Sequence, residues 1–299
     1  MSGENIRINS LPFCIQVGAL RHDFEMHSHD FSELVIILDG SAKHSIDGNE
    51  YAIQAGDVHV IGGDTAHGFK DVRSLSLCNI MYYPDMLLAY GGGIRSLPGF
   101  QALFVLEPNC RKEYGFKYRL QLPPARRKFA SELIGIMHRE YEQAFAGCEA
   151  ALQSYFMALV AFLSREYALV PDGGDSNGLI RLANTVAYME SHFAEPISLT
   201  KLADSLSVSN RHFLRIFRRH YNTTPLDYIL SLRLDSAMEL LKDGGLGIAQ
   251  IADRCGFADS NYFSRQFRKR CGISPSEYRR LEHTKLRAGM AIPEQVTFR

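Results

Sequence analysis

Residues 207–221, SVSNRHFLRIFRRHY, and residues 257–272, FADSNYFSRQFRKRCG, are two versions of one pattern. Phe213-Leu-Arg-Ile-Phe217-Arg-Arg lies over Phe263-Ser-Arg-Gln-Phe267-Arg-Lys at an offset of 50, which also pairs Pro225 with Pro275 and Tyr228 with Tyr278. Upstream, Leu202-Ala203 matches Ile251-Ala252 at an offset of 49, so the copies differ by one residue in the turn between their helices. In each copy a short apolar helix (SLTKLADSL; IAQIADRCG) precedes a tight turn and a basic amphipathic helix. Aromatic pairs at i and i+4 share a helix face and are expected to bury against the preceding helix. Arg211, Arg215, Arg218 and Arg219 in one copy, and Arg265, Arg268, Lys269 and Arg270 in the other, then fall on the remaining faces. Ser198 is the expected N-cap of the first short helix, and Gly256 the residue whose positive φ ends the other. This is helix-turn-helix grammar: N-terminal residues of the second helix reach base edges while flanking cations hold phosphates. A single basic helix reads equally well as a solvated face, but two in register with matching anchors do not.

Between the copies, PLDYILSLRLDSAMELLK keeps Leu230, Leu234, Ala237 and Leu241 in helical register. At 1.5 Å per residue it spans roughly 27 Å. That is close to one DNA turn of about 34 Å, so both second helices are expected to enter successive major grooves.

The chain has 299 residues and a formal charge of zero, which hides an asymmetry. Residues 1–175 carry 15 Lys and Arg against 21 Asp and Glu; residues 176–299 carry 18 against 12. The second half therefore suits a polyanion such as double-stranded DNA, and the first does not. The opening residues lack a secretory pattern and no apolar run reaches a membrane span, so a cytoplasmic, non-membrane protein is expected. Six scattered cysteines without CxxC spacing read as reduced, packed thiols.

The segment PDGGDSNG, residues 171–178, reads as a linker between residues 1–170 and 179–283, with a tail of unassigned role over 284–299. Residues 11–83 read as short strands between Gly and Asp turns, for example 33–38, 42–46, 50–54, 57–61 and 75–83. From Pro124 the period changes. Phe129, Leu133, Ile136, Met137 and Tyr141, then Leu152, Phe156, Leu159 and Leu163, predict helices over 124–144 and 148–168, which either pack on the β domain or form a homodimer interface. Residues 91–118 read as an ordered loop. The expected class is two-domain α+β, with an all-β N-terminal core followed by two helices and an all-α C-terminal domain carrying two helix-turn-helix motifs.

GFADSNYFSRQFRKRCGISPSEYRR, with IAQIADRC and PLDYILSLRLDSAMELL before it, resembles the AraC/XylS transcription regulators over residues 180–281. The resemblance implies a DNA-binding domain that contacts RNA polymerase, as an activator in most members. It places base reading at Arg211 and Arg215 and at Asp259, Asn261 and Arg265, with Arg218, Arg268 and Lys269 on the backbone. Arg pairs bidentately with guanine and Asn with adenine, whereas Asp259 suits a helix cap better than a base contact.

The family joins this domain to a cupin-like β-barrel that senses a small molecule. His27-x-His29-xxx-Glu33-xxxxxx-Gly40 resembles the first cupin motif, with Arg21 in place of its leading Gly. Gly56-DVHVI-Gly62-Gly63-Asp64-TA-His67 resembles the second, with Gly62 and Asp64 replacing Pro and Gly. His27, His29, Glu33 and His67 therefore fill the four positions that ligate metal in cupin enzymes. Three readings follow: a polar pocket for a sugar, with no cofactor required but a divalent metal allowed; a metal-responsive regulator; and a cupin metalloenzyme, disfavoured because a tandem DNA-reading domain has no use in a soluble catalyst. HSHDFSELVIILDG and LSLCNIMYYPDML are similar to the L-rhamnose-responsive members, which makes L-rhamnose or a related sugar the expected inducer, although residues 91–118 depart from them. Asn79 and Tyr83 are further pocket candidates.

Overall fold

The computed structural model describes residues 13–89, 93–109, 119–169 and 177–288, and the chain divides into two compact units, Met1–Ala187 and Tyr188–Arg299. In the first unit the strands are β1 Phe13–Leu20, β2 Phe24–His27, β3 Ser32–Ile46, β4 Asn49–Gln54, β5 Asp57–Ile61, β6 His67–Tyr82 and β7 Leu120–Gln121. They form one antiparallel sheet in the order β1-β6-β3-β5-β7, with β2 also on β6 and β4 also on β3. The stretches predicted as separate strands 33–38 and 42–46 are one long strand. Register shifts against β6 between Ile37 and Lys43 bend it, as bulges do. Gly40 sits in that bend at φ 78°, where a Cβ would strike the backbone of Arg73 and Ser74. The bend curls the sheet. Val35, Ile37, Ala42, Ile53, Ile61, Phe69 and Leu75, from four strands, meet in one buried cluster inside a cupin-like β domain.

Helices α1 Pro84–Ala89, α2 Pro98–Phe100, α3 Pro124–Gln143 and α4 Cys148–Ala168 follow the sheet. α2 runs directly into a π-type turn over Gln101–Leu106, so the predicted loop at 91–118 is helical from Pro98 to Asn109; residues 110–118 lie outside the described residues. The apolar run FQALFVL shows no period because it is covered on nearly every side: Phe100, Ala102, Leu103, Phe104 and Leu106 are all buried. Leu152, Phe156, Leu159 and Leu163 of α4 are buried as expected, and Phe156 stacks on Phe13 of β1 at 5.1 Å. On α3 Met137 is buried as expected, but its buried neighbours are Ala130 and Ile134, one step round from Phe129 and Leu133. Phe129 and Ile136 are exposed.

The helix α5 Asn177–His192 begins inside the segment read as linker; residues 171–176 lie outside the described residues, and the division between the compact units falls within α5. Beyond it come α6 Leu199–Ser205, α7 Asn210–Tyr221, α8 Pro225–Asp243, α9 Ile248–Arg254, α10 Ser260–Cys271 and α11 Pro275–Ala288. α11 thus takes in the first residues assigned to the tail, and 289–299 lie outside the described residues. Ser198 caps α6 by accepting from the Lys201 N–H at 3.4 Å. Thr224 with Asp227, and Ser274 with Glu277, form equivalent capping pairs at the starts of α8 and α11. The sequence carries them as TPLD and SPSE. Leu234, Ala237 and Leu241 of α8 pack with Ile251, Ala252, Cys255, Phe257, Phe263 and Phe267.

Gly256, at φ 80°, ends the turn after α9, and a Cβ there would overlap Ala194 O. Gly272 has φ 76° with open space around it, and Gly245 has open space and no positive φ. Left-handed backbone costs a side chain about 1–2 kcal/mol. Urea unfolding is therefore expected to rank Gly256→Ala as most destabilised, Gly272→Ala as losing about 1 kcal/mol and Gly245→Ala as near wild type.

Candidate functional site

The two basic helices are presented alike. Phe213, Phe217, Phe263 and Phe267 are fully buried, each pair meeting edge to face. Because the anchors occupy the same helical positions, Arg211, Arg215 and Arg218 on α7, and Asn261, Arg265, Arg268 and Lys269 on α10, are all exposed. Asp259 accepts from the backbone N–H groups of Asn261 (2.9 Å) and Tyr262 (3.2 Å), the capping geometry expected of it. Ser209 accepts from the His212 N–H at the matching place on α7. Arg270 departs from its neighbours: its guanidinium donates to Ser231 O (3.2 Å) and Asp235 Oδ1 (2.6 Å), and so fastens α10 to α8. Arg265 lies over the exposed Tyr262 ring at 6.0 Å, a cation–π approach the periodicity did not single out. Together the surfaces offer two helix N-termini with Arg and Asn at their starts and cations along their flanks, which can meet base edges and phosphates.

The second site lies in the β domain. Strands β2, β3 and β6, with the link after β2, bring His27, His29, Glu33 and His67 together, one donor atom from each lying within 4.8 Å of the others. The Nδ1 atoms of His27, His29 and His67 lie 3.1, 2.8 and 3.0 Å from the carbonyl oxygens of Glu25, Phe31 and Thr65. A carbonyl can only accept, so each Nδ1 carries the proton and Nε2 is left to face the site. His29 Nε2 lies 3.2 Å from Glu33 Oε1, and His67 Nε2 lies 3.3 Å from Glu33 Oε2. A neutral Nε2 would turn its lone pair on the carboxylate, so the arrangement calls for a proton or a cation. His29 Nε2 is buried and off the line of a hydrogen bond, which leaves it without a hydrogen-bond partner. Separations near 3.2 Å also fit ligands each about 2.0–2.1 Å from one tetrahedral metal ion. The residues thus fit a divalent metal. Burial alone would raise the Glu33 carboxyl, but the facing imidazoles of His29 and His67 outweigh it and hold the group well below the usual carboxylate range.

Phe31 stacks on the His29 ring at 3.8 Å. His44 and His59, which sequence reading passed over, are fully buried nearby: the His44 ring is 6.0 Å from that of His67 and 5.5 Å from that of His59. The signal was present in the alternation, since His59 is paired with Val35 and shares the inward parity of Ile61. Asn79 also pairs with Val35, and its Oδ1 is buried without a hydrogen-bond partner. Tyr83 packs instead beside Cys14, Phe31 and Met81. Two clefts of roughly 600 and 630 Å³ lie away from this cluster, one beside Gly40, Gln54 and Arg127 and the other between Ile94 and the Gln153–Arg165 face of α4.

Residues 11–160 match the AraC-like ligand binding domain, and residues 202–281 match a helix-turn-helix domain. The HTH-type transcriptional activator RhaS of Escherichia fergusonii is 33% identical over 261 residues, covering 86% of this chain and 87% of the relative. RhaS of an Enterobacter species is 31% identical over 268 residues, covering 90% and 92%. Among solved structures, an AraC-type regulator from Chromobacterium violaceum is 35% identical over 34% of this chain and 91% of its own, with a TM-score of 0.32.

Removing one partner of a buried ion pair leaves the other uncompensated, at a cost of about 3–5 kcal/mol. Glu33→Ala is expected to lose stability of that order in urea unfolding at pH 7. A carboxyl held low in the folded state contributes its full share above its unfolded value and loses it on acidification, so the gap to wild type should narrow below about pH 4.

Proposed function

The chain belongs to the AraC family of transcriptional regulators, and from that premise we propose that it is an activator whose N-terminal domain binds a small sugar, L-rhamnose or a close relative. The observation that carries this reading is the convergence of His27, His29, Glu33 and His67 inside the domain that matches the ligand-binding half of the family. Imidazoles and a carboxylate at such spacing can donate to and accept from adjacent hydroxyls. We assign sensing and dimerisation to residues 1–170 and DNA binding to residues 179–283, with residues 171–178 joining them. The exposed Phe129 and Ile136, two turns apart on α3, support a homodimer through that helix. RNA polymerase is the expected further partner of an activator, and the cytoplasm its compartment; among the described residues no helix is long and apolar enough to cross a membrane. The relatives are named as activators, and we take this chain as a regulator rather than an enzyme.

A second reading, a metal-responsive regulator, is favoured by one observation: every Nδ1 in the cluster is engaged by a carbonyl while His29 Nε2 has no hydrogen-bond partner. His27, His29, Glu33 and His67 would hold the ion. A divalent metal there would supply a Lewis-acidic point to which sugar hydroxyls could bind. Thermal melting of the full-length chain against a monosaccharide panel, with and without EDTA, separates the readings. Ligand at 100 times its Kd adds about 2.7 kcal/mol of stability. A sugar-specific rise that survives EDTA marks a metal-free sensor, and a rise lost with EDTA marks metal as part of the sugar site. A response to divalent metal with none to any sugar would replace the sugar reading with the metal one. His67→Ala should abolish a metal response but only weaken sugar binding.

On the DNA side, Arg211, Arg215, Asn261 and Arg265 are assigned to base reading, Arg218, Arg268 and Lys269 to phosphates, and Asp259 to its cap. Arg215→Ala should weaken specific binding by about 1–3 kcal/mol and relax preference at one base. Arg218→Ala should weaken cognate and scrambled DNA alike. Equal losses on both DNAs for both variants, in gel-shift titrations, would remove the assignment.

A further inference from the structure

The two helix-turn-helix motifs share α8, but a second connection joins them. Arg233, in the middle of α8, donates from Nε to Phe193 O (2.7 Å) and from Nη2 to Glu195 O (3.0 Å). Those carbonyls belong to the segment that leaves α5 and leads into the first motif, where the chain has left the helix and its carbonyls need outside donors. Between them, Ala194 lies against Gly256, the turn of the second motif, so closely that no Cβ fits. The Arg233 guanidinium also lies over the Phe257 ring at 5.9 Å. Phe257 is buried and packs on Phe263, the first anchor of α10. One side chain therefore holds the lead-in to the first motif with two hydrogen bonds and touches the turn of the second through an aromatic ring. At the near end of α8, the Tyr228 hydroxyl donates to Glu190 of α5, and Tyr228 meets Phe217 of α7 edge to face.

A motif pair held only by a continuous helix could still tilt about it. With the lead-in of one motif fastened at the turn of the other, α7 and α10 keep one separation and one phase. We propose that Arg233 is a positioning residue for DNA reading, which fixes the spacing that the two reading helices accept between their base contacts. The inference rests on both motifs reading one duplex. The residue type matters: the guanidinium is a rigid fork with several donors that can serve two carbonyls while stacking on a ring, whereas a lysine ammonium is a point charge on a flexible stem. Arg233 is remote in sequence from every residue assigned to base or phosphate contact, and acts through their placement.

The test uses the full-length protein and the operator it selects from a randomised duplex library, with that operator lengthened or shortened by one base pair between its two contacted blocks. One base pair displaces the blocks by about 3.4 Å and about 34°. Wild type is expected to bind both altered spacings at least about tenfold more weakly than the selected one. Arg233→Met should bind the selected operator about tenfold more weakly and prefer it over the altered spacings by no more than about twofold, with Arg233→Lys intermediate. Circular dichroism melts identify a variant that has failed to fold, in which case Arg233→Lys alone carries the comparison. A folded variant that loses affinity equally on all three duplexes, keeping the wild-type spacing ratio, shows a merely structural residue and overturns the proposal. Selection of a single contacted block would remove the premise instead, an outcome distinct from an unchanged ratio.

Discussion

Four phenylalanine rings govern how the second unit meets its target. Each of Phe213, Phe217, Phe263 and Phe267 is fully buried, and an i, i+4 pair of that size fixes the rotation of its helix about its own axis. Once the rotation is set, the positions of the arginines follow without further interaction. That is why α7 and α10, which differ at most other positions, expose equivalent residues: Arg211 and Asn261, Arg215 and Arg265, Arg218 and Arg268. Large-to-small replacement of such an anchor removes about 3–5 kcal/mol and with it the orientation, so the exposed residues can vary freely only while the rings do not.

The β domain inverts this arrangement. Its anchoring residues are also its reactive ones, because Glu33 is buried between two imidazoles where an apolar side chain would pack more cheaply. A carboxylate in that position needs a proton donor or a cation facing it. The three carbonyls that engage the histidine Nδ1 atoms keep all three Nε2 atoms turned toward one point, so the site is ordered before anything enters it. Such preorganisation is what a binding site requires, and a set of histidines packed for bulk alone would not display it.

The repeat made the second unit legible, since residue spacing of 50 is independent of any packing detail. The caps at Ser198 and Asp259 and the turn at Gly256 could be read because each depends on local backbone alone. Long-range choices were less visible. On α3, Phe129 and Ile136 satisfy a helical period as well as Ala130 and Ile134 do, and only the sheet beneath decides which stripe is inside. FQALFVL carries no period when all its faces are covered, so nothing in it announces a helix. Within the candidate sites, His27, His29, Glu33 and His67 were found by spacing, whereas His44 and His59 stand singly on two strands and only the pairing of the sheet brings their rings together. Arg270 read as one more surface cation because its partner, Asp235, lies on another helix.

A ligand bound in one unit can alter DNA affinity only to the extent that its own affinity differs between two arrangements of the chain. If the reading helices were loosely joined, much of that difference would be spent on ordering them, and little would reach the DNA. The connection through Arg233 removes that loss, because α7 and α10 then move as one body. Rigidity between the motifs is then a requirement of the same regulation. Loosening the joint would dissipate the ligand's effect even in a protein whose ligand-binding and DNA-facing residues were both intact.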